Sequence, residues 1–308
     1  MQPIVLVTGA SGFVGRNLPA FLRANGYAVR GAMRSGTMSD GDVAIDSIGH
    51  TTDWSEAVAG IYAVVHLAAR VHHPNEEHAD ELYTSINTDG TLHLARAAAR
   101  AGARKFIFLS SILVNGSCTD GRGPFTAHDQ LRPRGVYGRS KAAAELGLAE
   151  VASSTGMDIS IVRPPLVHGR DAVGNFKQLA KAIRARLPLP FGLINNRRAF
   201  IGVDNLCSFI ATLVGHAQDR ACATYLVADA EQVSIGTFVR QMGMAMNRSP
   251  VLLPIPPGLL DFAIKAVQPT MRDSLLGSLE MDTSAAISTG WVPPFSLDEG
   301  LRRALGPK

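Results

Sequence analysis

The segment Gly135-Val136-Tyr137-Gly138-Arg139-Ser140-Lys141 sets a phenol and an ammonium group four residues apart. Positions i and i+4 are neighbours on a helix surface, so the spacing predicts that Lys141 holds positive charge close to the Tyr137 oxygen. Such a charge lowers the phenol pKa from about 10 toward neutrality, and a phenol so tuned passes a proton at physiological pH. Upstream lies a serine pair, Ser110-Ser111. The Ser111 hydroxyl and the Tyr137 phenol are candidates to share one substrate oxygen, as an acid–base set with Lys141. Taken singly, either serine reads equally well as a strand-end hydroxyl capping backbone groups; the tyrosine tips the choice to Ser111.

Side chains used this way need a rigid frame. Ile4-Val-Leu-Val7 is a continuous apolar run, the pattern of a strand buried on both faces of a parallel sheet. Thr8-Gly9-Ala10-Ser11-Gly12-Phe13-Val14-Gly15 follows, with glycines spaced GxxGxxG, and Phe13, Val14, Leu18, Phe21 and Leu22 then recur at helical spacing until Asn25-Gly26. A turn without side chains lets the backbone approach a pyrophosphate whose charge rests on the helix N-terminus. The next strand, about Ala28 to Met33, reads into Arg34 with no carboxylate at its end. Arg30 and Arg34 suit a 2′-phosphate on the adenosine ribose, so the pattern favours NADP(H), with NAD(H) the other possibility.

Further strand-like runs stand at Val43–Ile45, Tyr62–Leu67 and Phe106–Leu109, with a helix over about Asn87 to Ala101 between the last two. Ile159–Val162 closes the ladder. Alternation of this kind predicts a Rossmann-type, doubly wound parallel α/β sheet. Ligands in such sheets collect at the carboxyl ends of the strands, where Leu67-Ala68-Ala69, Ser110-Ser111 and Arg163-Pro164-Pro165 fall. Beyond about residue 166 the alternation is lost and prolines appear at 188, 190, 250, 254, 256 and 257. We read residues 1–165 as the dinucleotide-binding domain and 166–308 mainly as a smaller C-terminal substrate lobe. Arg198 to His216 is expected to return to the sheet, and Ser234–Met246 and Leu259–Val267 read as amphipathic helices.

The bulk numbers bound the function. The 30 basic residues behind the net charge of +4 are scattered rather than gathered into a run, which disfavours nucleic acid while permitting an anionic small ligand. Cys118, Cys207 and Cys222 form no metal-ligand or disulfide spacing, and no metal is expected. The N-terminus lacks a signal peptide pattern and no apolar run approaches the ~18 residues of a membrane span. A cytoplasmic protein without membrane insertion is the expectation.

The chain resembles the extended short-chain dehydrogenase/reductase superfamily, in its NAD-dependent epimerase/dehydratase branch that acts on nucleotide-linked sugars. The likeness rests on Thr8–Gly15, His66-Leu-Ala-Ala69, Asn87, Ser110-Ser111, Tyr137-Gly-Arg-Ser-Lys141, Arg163-Pro164 and Arg198-Ala-Phe-Ile-Gly-Val-Asp-Asn205, in the expected order over nearly the whole chain. The resemblance implies that Ser111 orients the reacting oxygen, that Tyr137 is the acid–base residue, and that Lys141 tunes it while holding the nicotinamide ribose. It places Gly9, Ser11, Gly12, Phe13, Val14, Gly15, Arg34, Ile48, Leu67, Ala68, Ala69, Asn87, Tyr137, Lys141 and Pro164 on the cofactor. Asn175 and Arg198 fall where relatives grip the substrate diphosphate.

Departures narrow the chemistry. Ile112-Leu113 stands where sugar dehydratases carry acids and where 3,5-epimerising ketoreductases carry a cysteine at the second position, so both activities are disfavoured. Ser47 replaces an acid near the adenine, Asn115-Gly116 replaces a usual Tyr-Gly, and His168, at another usual tyrosine position, reads as a satisfied loop histidine. The phrases His66–His72, Ser110–Gly116, Pro188–Gly192 and Asn196–Phe200 are similar to 4-ketohexosamine reductases and 4-epimerases of bacterial surface-polysaccharide pathways. The resemblance favours NADPH-dependent reduction of a UDP-4-keto-6-deoxy-hexosamine. A UDP-hexose or UDP-N-acetylhexosamine 4-epimerase is the alternative, and a non-catalytic dinucleotide-binding regulator a third. Relatives pair through two helices, one of them the Tyr137 helix, so a homodimer is expected.

Overall fold

The computed structural model describes residues 2–34, 38–39, 41–71, 78–217, 221–267 and 272–306; Ser35 and His72 lie outside them. Seven parallel strands form one sheet: β1 (Ile4–Thr8), β2 (Ala28–Met33), β3 (Val43–Ala44), β4 (Ala63–His66), β5 (Lys105–Leu109), β6 (Asp158–Arg163) and β9 (Cys222–Leu226), in the order β3-β2-β1-β4-β5-β6-β9. A separate parallel pair joins β7 (Leu166–His168) to β8 (Phe200–Gly202).

Alternation along each strand feeds two cores. Leu6, Val64, Phe106, Phe108, Ile159 and Ile161 meet Leu94 and Ala98 of α3 (Gly90–Arg100) and Ala144, Leu148 and Val151 of α4 (Gly135–Thr155). Their neighbours Val5, Val7, Ala63, Val65, Ile107 and Val162 meet Leu18 and Leu22 of α1 (Phe13–Ala24) and Leu206, Phe209, Ile210 and Leu213 of α6 (Val203–Gly215). Successive side chains of a strand point to opposite faces, so a sheet covered on both sides requires the unbroken apolar runs seen in the sequence. The Arg198–His216 segment reaches the sheet through α6.

Two elements differ from the sequence reading. The helix expected from Asn87 begins at Ala79: α2 (Ala79–Tyr83) runs through a wide π-turn, Thr84–Asp89, into α3. Asn-Thr-Asp-Gly are poor helix formers, which hides this continuity in the sequence. The sheet also extends past β6, because β9 pairs with it from Ile159↔Cys222 to Arg163↔Leu226. β9 is an edge strand whose first three residues are only half-buried, so its apolar signal is weak.

A third core lies among three further helices. Phe176, Ala180 and Ile183 of α5 (Asn175–Arg184) pack with Phe238, Val239 and Met242 of α7 (Ile235–Ala245) and with Leu297 and Leu301 of α11 (Leu297–Leu305). Ser234 caps α7 by accepting the Thr237 N–H, and Ser296 with Glu299 forms a capping box at α11. Between these helices lie α8 (Pro257–Val267), α9 (Arg272–Leu275) and α10 (Ser284–Ile287).

Candidate active site

β1 delivers the chain into the glycine turn. Gly9 has φ 68, and a Cβ there would stand 2.9 Å from the Ala68 backbone nitrogen. At Gly15 a Cβ would come within 2.2 Å of the Gly9 carbonyl oxygen. The Gly12 N–H donates to that same oxygen at 2.9 Å. Side chains are excluded from the turn, and the first N–H groups of α1 are left without intrahelical partners. This is a cradle that fits the pyrophosphate of a dinucleotide.

A cleft of about 470 Å³ opens above it. Gly9, Ser11, Gly12, Phe13, Val14, Gly15, Arg34, Ile48, Leu67, Ala68 and Ala69, all singled out in the sequence, line its wall. Ala32, Met33, Ile45, Ser47, Arg70, Val71, Ile86, Leu109 and Val173 join them. Most of these additions sit at or just after strand carboxyl ends, which was the one signal available; Ile86, on the π-turn, and Val173 gave none. Asn87, Tyr137, Lys141 and Pro164 do not line the cleft. The buried Asn87 amide holds the cleft from behind: its Oδ1 accepts the Arg70 N–H at 2.7 Å, and its Nδ2 donates to Arg70 O at 3.1 Å and Ser140 Oγ at 3.0 Å. The Pro164 carbonyl accepts the Ile112 N–H at 3.0 Å.

Of the two arginines expected near a 2′-phosphate, only Arg34 reaches the cleft. Arg30 is committed elsewhere, its Nη1 donating to the carbonyls of Ala57 at 2.9 Å and Ala59 at 2.8 Å. A carboxylate does approach β2, supplied from outside the strand: Asp42 Oδ1 accepts the Gly31 N–H at 2.6 Å. Gly31 lies against the glycine turn, where a Cβ would come within 3.2 Å of Ala10 Cβ.

Tyr137 and Lys141 share the first turns of α4, and the fine geometry departs from expectation. Lys141 Nζ donates to Leu109 O at 2.8 Å and lies 4.2 Å from the Phe108 ring centre, against 5.9 Å from that of Tyr137. Burial pulls the Lys141 ammonium down to about 7, with Glu145 opposing. The Tyr137 phenol is raised above its ordinary value by burial and by Tyr83, whose ring meets it edge-on at 6.5 Å. Burial thus reverses the expected lowering, and the ammonium that would oppose it is directed to the Leu109 carbonyl.

Ser111 caps the short 3₁₀ turn Ile112–Val114, its Oγ accepting the Leu113 N–H at 3.2 Å. That turn packs on the start of α4: Arg134 N–H donates to Leu113 O at 3.0 Å, and a Cβ on Gly138 would stand 3.0 Å from the same oxygen. The turn that Ser111 caps thus abuts the first residues of α4, where Tyr137 lies. Ser110 faces the other way and donates to Glu145 Oε1 at 2.5 Å.

Residues 5–228 match the model of the NAD-dependent epimerase/dehydratase family. The chain belongs to that family. A UDP-glucose 4-epimerase of Vibrio cholerae is 35% identical over 311 residues, covering 98% of this chain and 94% of the relative. An N-acetyl-α-D-glucosaminyl-diphospho-ditrans,octacis-undecaprenol 4-epimerase of Escherichia coli O157:H7 is 28% identical, covering 99% and 95%. Among solved structures, a UDP-glucuronic acid 4-epimerase from Bacillus cereus in complex with NAD shares the fold, at TM-score 0.78 and 22% identity over 98% of this chain and 95% of that one.

In this epimerase-family chain a buried ion pair joins α4 to the end of β6, a feature the sequence reading missed. Arg163 Nη2 and Nε donate to Glu145 Oε2 and Oε1 at 2.5 and 3.0 Å, and Arg163 Nη1 donates to Asn115 Oδ1 at 3.0 Å. Asn115, noted for replacing a tyrosine, thus belongs to this network. Glu145 lies one turn beyond Lys141, so helical spacing was a signal for half of the pair.

Asn175 is exposed at the first position of α5. Arg198 is anchored in the lobe by Nη1, which donates to Asp273 O at 3.0 Å and to Gly277 O. Burial pulls its guanidinium down to about 10, with Asp120, Cys118 and Asp273 opposing. His168 lies on β7 rather than in a loop, fully buried, with Nε2 paired to Asp229 Oδ2 at 3.0 Å. Among the described residues no group of three or more His, Cys, Asp or Glu could hold a metal ion, and no helix is long and apolar enough to cross a membrane.

Proposed function

We propose that this chain is a nicotinamide-dependent 4-epimerase of a nucleotide-linked hexose or N-acetylhexosamine, using NAD(H). The observation that carries the reading is the near full-length likeness to a UDP-glucose 4-epimerase at 35% identity; the tie of Lys141 to the cleft-lining Leu109 supports it. Leu109 joins the two halves of the site, since it lines the cleft and its carbonyl receives the Lys141 ammonium.

A nicotinamide dinucleotide bound in the cleft supplies reversible hydride exchange with the sugar C4. Tyr137 takes the proton of the C4 hydroxyl and later returns one to the same oxygen. Ser111 donates a hydrogen bond to that oxygen as its charge changes. Lys141 is the cation that brings the buried phenol down to a working pKa, and a shift of its ammonium from Leu109 O toward the tyrosine serves that purpose. Arg198 and Asn175 bind the substrate diphosphate, for which a guanidinium fork is suited. The enzyme works as a homodimer through the α4 face, where Leu146 is exposed.

Arg34 on the cleft wall favours a second reading, a 4-ketoreductase that consumes NADPH. Incubation with UDP-glucose and UDP-N-acetylglucosamine separates the two. The epimerase interconverts each with its C4 epimer, without net change in nicotinamide absorbance and with a C4 deuterium label kept in the product. Stoichiometric NADPH loss on a 4-keto sugar, with no interconversion, overturns the proposal in favour of the reductase.

A further inference from the structure

The substrate lobe has an excess of positive charge of which the active site uses only Arg198. Residues 172–203 and 232–260 contain no Asp or Glu, yet they carry Lys177, Lys181, Arg184, Arg186, Arg197 and Arg198 in the first stretch and Arg240 and Arg248 in the second. Lys177, Lys181 and Arg184 recur at i, i+4 and i+7 along α5 and are all exposed, while Phe176, Ala180 and Ile183 face the core. The three cations therefore share one outward face.

Large apolar side chains stand exposed beside them. Leu187 follows α5 directly. The Leu189 N–H donates to Val251 O and its carbonyl accepts the Leu253 N–H, both at 2.8 Å, and the Gly192 N–H donates to Leu253 O at 3.0 Å. These bonds draw Leu187, Leu193, Val251 and Leu253, all exposed, into one region. The chain then passes Pro254 to Pro257 into α8, where Leu259 is 62% and Phe262 73% exposed. Single exposed apolar residues need no explanation, but a cluster with a rim of one charge sign marks an interaction surface.

We infer that this face docks on an anionic lipid bilayer. The excess of basic residues decides the partner: Asp261, the one acidic residue of α8, is paired with Arg272, and basic residues beside an apolar helix face are attracted to anionic head groups, while Leu and Phe enter the boundary between head groups and acyl chains. A peripheral contact of this kind needs no spanning helix. It also bears on the active site, because α8 is tied to α9 by Arg272 Nε on Asp261 Oδ1 at 2.5 Å, and α9 supplies the Asp273 carbonyl that anchors Arg198. The lobe that holds Arg198 would sit at the membrane surface.

The test is co-sedimentation of the full chain with vesicles of phosphatidylethanolamine and phosphatidylglycerol, against vesicles of phosphatidylcholine alone. Roughly tenfold more protein is expected to pellet with the anionic vesicles, falling as salt is raised. Phe262→Glu with Leu259→Glu, and separately Lys181→Glu with Arg184→Glu, should each return pelleting to the phosphatidylcholine level; all four side chains are exposed, so folding is kept and is checked by circular dichroism. No pelleting on anionic vesicles, equal pelleting on both, or variants that pellet like the wild type would each overturn the inference. So would a concentration-dependent dimer abolished by Phe262→Glu, which would make the face a contact between copies of this chain. Sedimentation does not depend on turnover, so failure of the epimerase reading would leave this result standing.

Discussion

The Lys141 ammonium donates to the Leu109 carbonyl at 2.8 Å while its own helix keeps the Tyr137 ring centre 5.9 Å away. A cation so buried is held at a cost, and its pKa of about 7 against an ordinary 10.5 gives that cost a pH signature. Below about pH 7 both folded and unfolded chains carry the charge, and the burial penalty is present in full. Between about 7 and 10.5 the folded group has lost its proton while the unfolded one keeps it, so the unfolded state binds more protons and stability rises with pH. Urea unfolding of wild type and Lys141→Met across this window should show the wild type gaining on the variant as pH rises. A constant difference would mean that the ammonium is not desolvated.

Tyr137→Phe removes the hydroxyl and leaves the ring that meets Tyr83. General acid–base catalysis contributes about 10²–10⁴-fold, and loss of turnover of at least that order is expected. Because Tyr137 does not line the dinucleotide cleft, NAD(H) affinity measured by fluorescence titration should change little. Turnover near the wild-type rate would remove Tyr137 from its role.

How much of this was legible follows from how local each feature is. β1, β4, β5 and β6 were readable because burial on both faces forces largely apolar runs, and the glycine turn because close backbone approach at Gly9 and Gly15 leaves no other residue type. The proximity of Tyr137 and Lys141 followed from helical period. The direction of the ammonium did not, since it is set by a carbonyl on β5, 32 positions away in sequence. The Glu145–Arg163 pair and the approach of Asp42 to Gly31 are likewise contacts between elements, and helical period marks only Glu145 among these residues.

Glu145 is the partner whose loss should be felt most in stability. Its carboxylate takes three hydrogen bonds from Arg163 and one from Ser110, all buried. Removing one member of a buried pair leaves an uncompensated charge and costs about 3–5 kcal/mol. Glu145→Ala should lower the free energy of unfolding by that amount in chemical denaturation. The double variant Glu145→Ala with Arg163→Met should recover part of the loss; additive losses would show that the two side chains do not act as a pair.

His66 predicts the acid limb. It lies fully buried on β4, with Nδ1 paired to Thr8 Oγ1 at 2.7 Å and Nε2 to Thr91 Oγ1 at 2.9 Å, and burial, with Lys141 nearby, lowers its pKa from 6.5 to about 3. The unfolded chain takes up this proton as pH falls below 6.5 and the folded chain does not until about 3. Stability from this group alone therefore falls by up to about 1.4 kcal/mol per pH unit in that window. His66→Gln should show a shallower loss than wild type by about one proton in urea unfolding at intermediate acid pH. Equal slopes would mean that His66 titrates normally.

Substitution of Arg34 tests the cofactor preference. It stands exposed on the cleft wall just beyond β2, where a 2′-phosphate would be met, while Arg30 is bound to backbone carbonyls and Asp42 reaches Gly31 beside the glycine turn. A guanidinium that binds phosphate contributes affinity through charge-assisted hydrogen bonds, each worth about 1.5–3 kcal/mol. If the chain is built for NADPH, Arg34→Ala should weaken NADPH by roughly 10- to 100-fold and leave NADH untouched. The epimerase reading expects both affinities to change by less than about threefold in Arg34→Ala, with wild type already preferring NAD(H). Equilibrium titration of wild type and variant with both cofactors gives four constants. A wild-type preference for NADPH that vanishes in the variant would sink the NAD(H) assignment and restore the reductase.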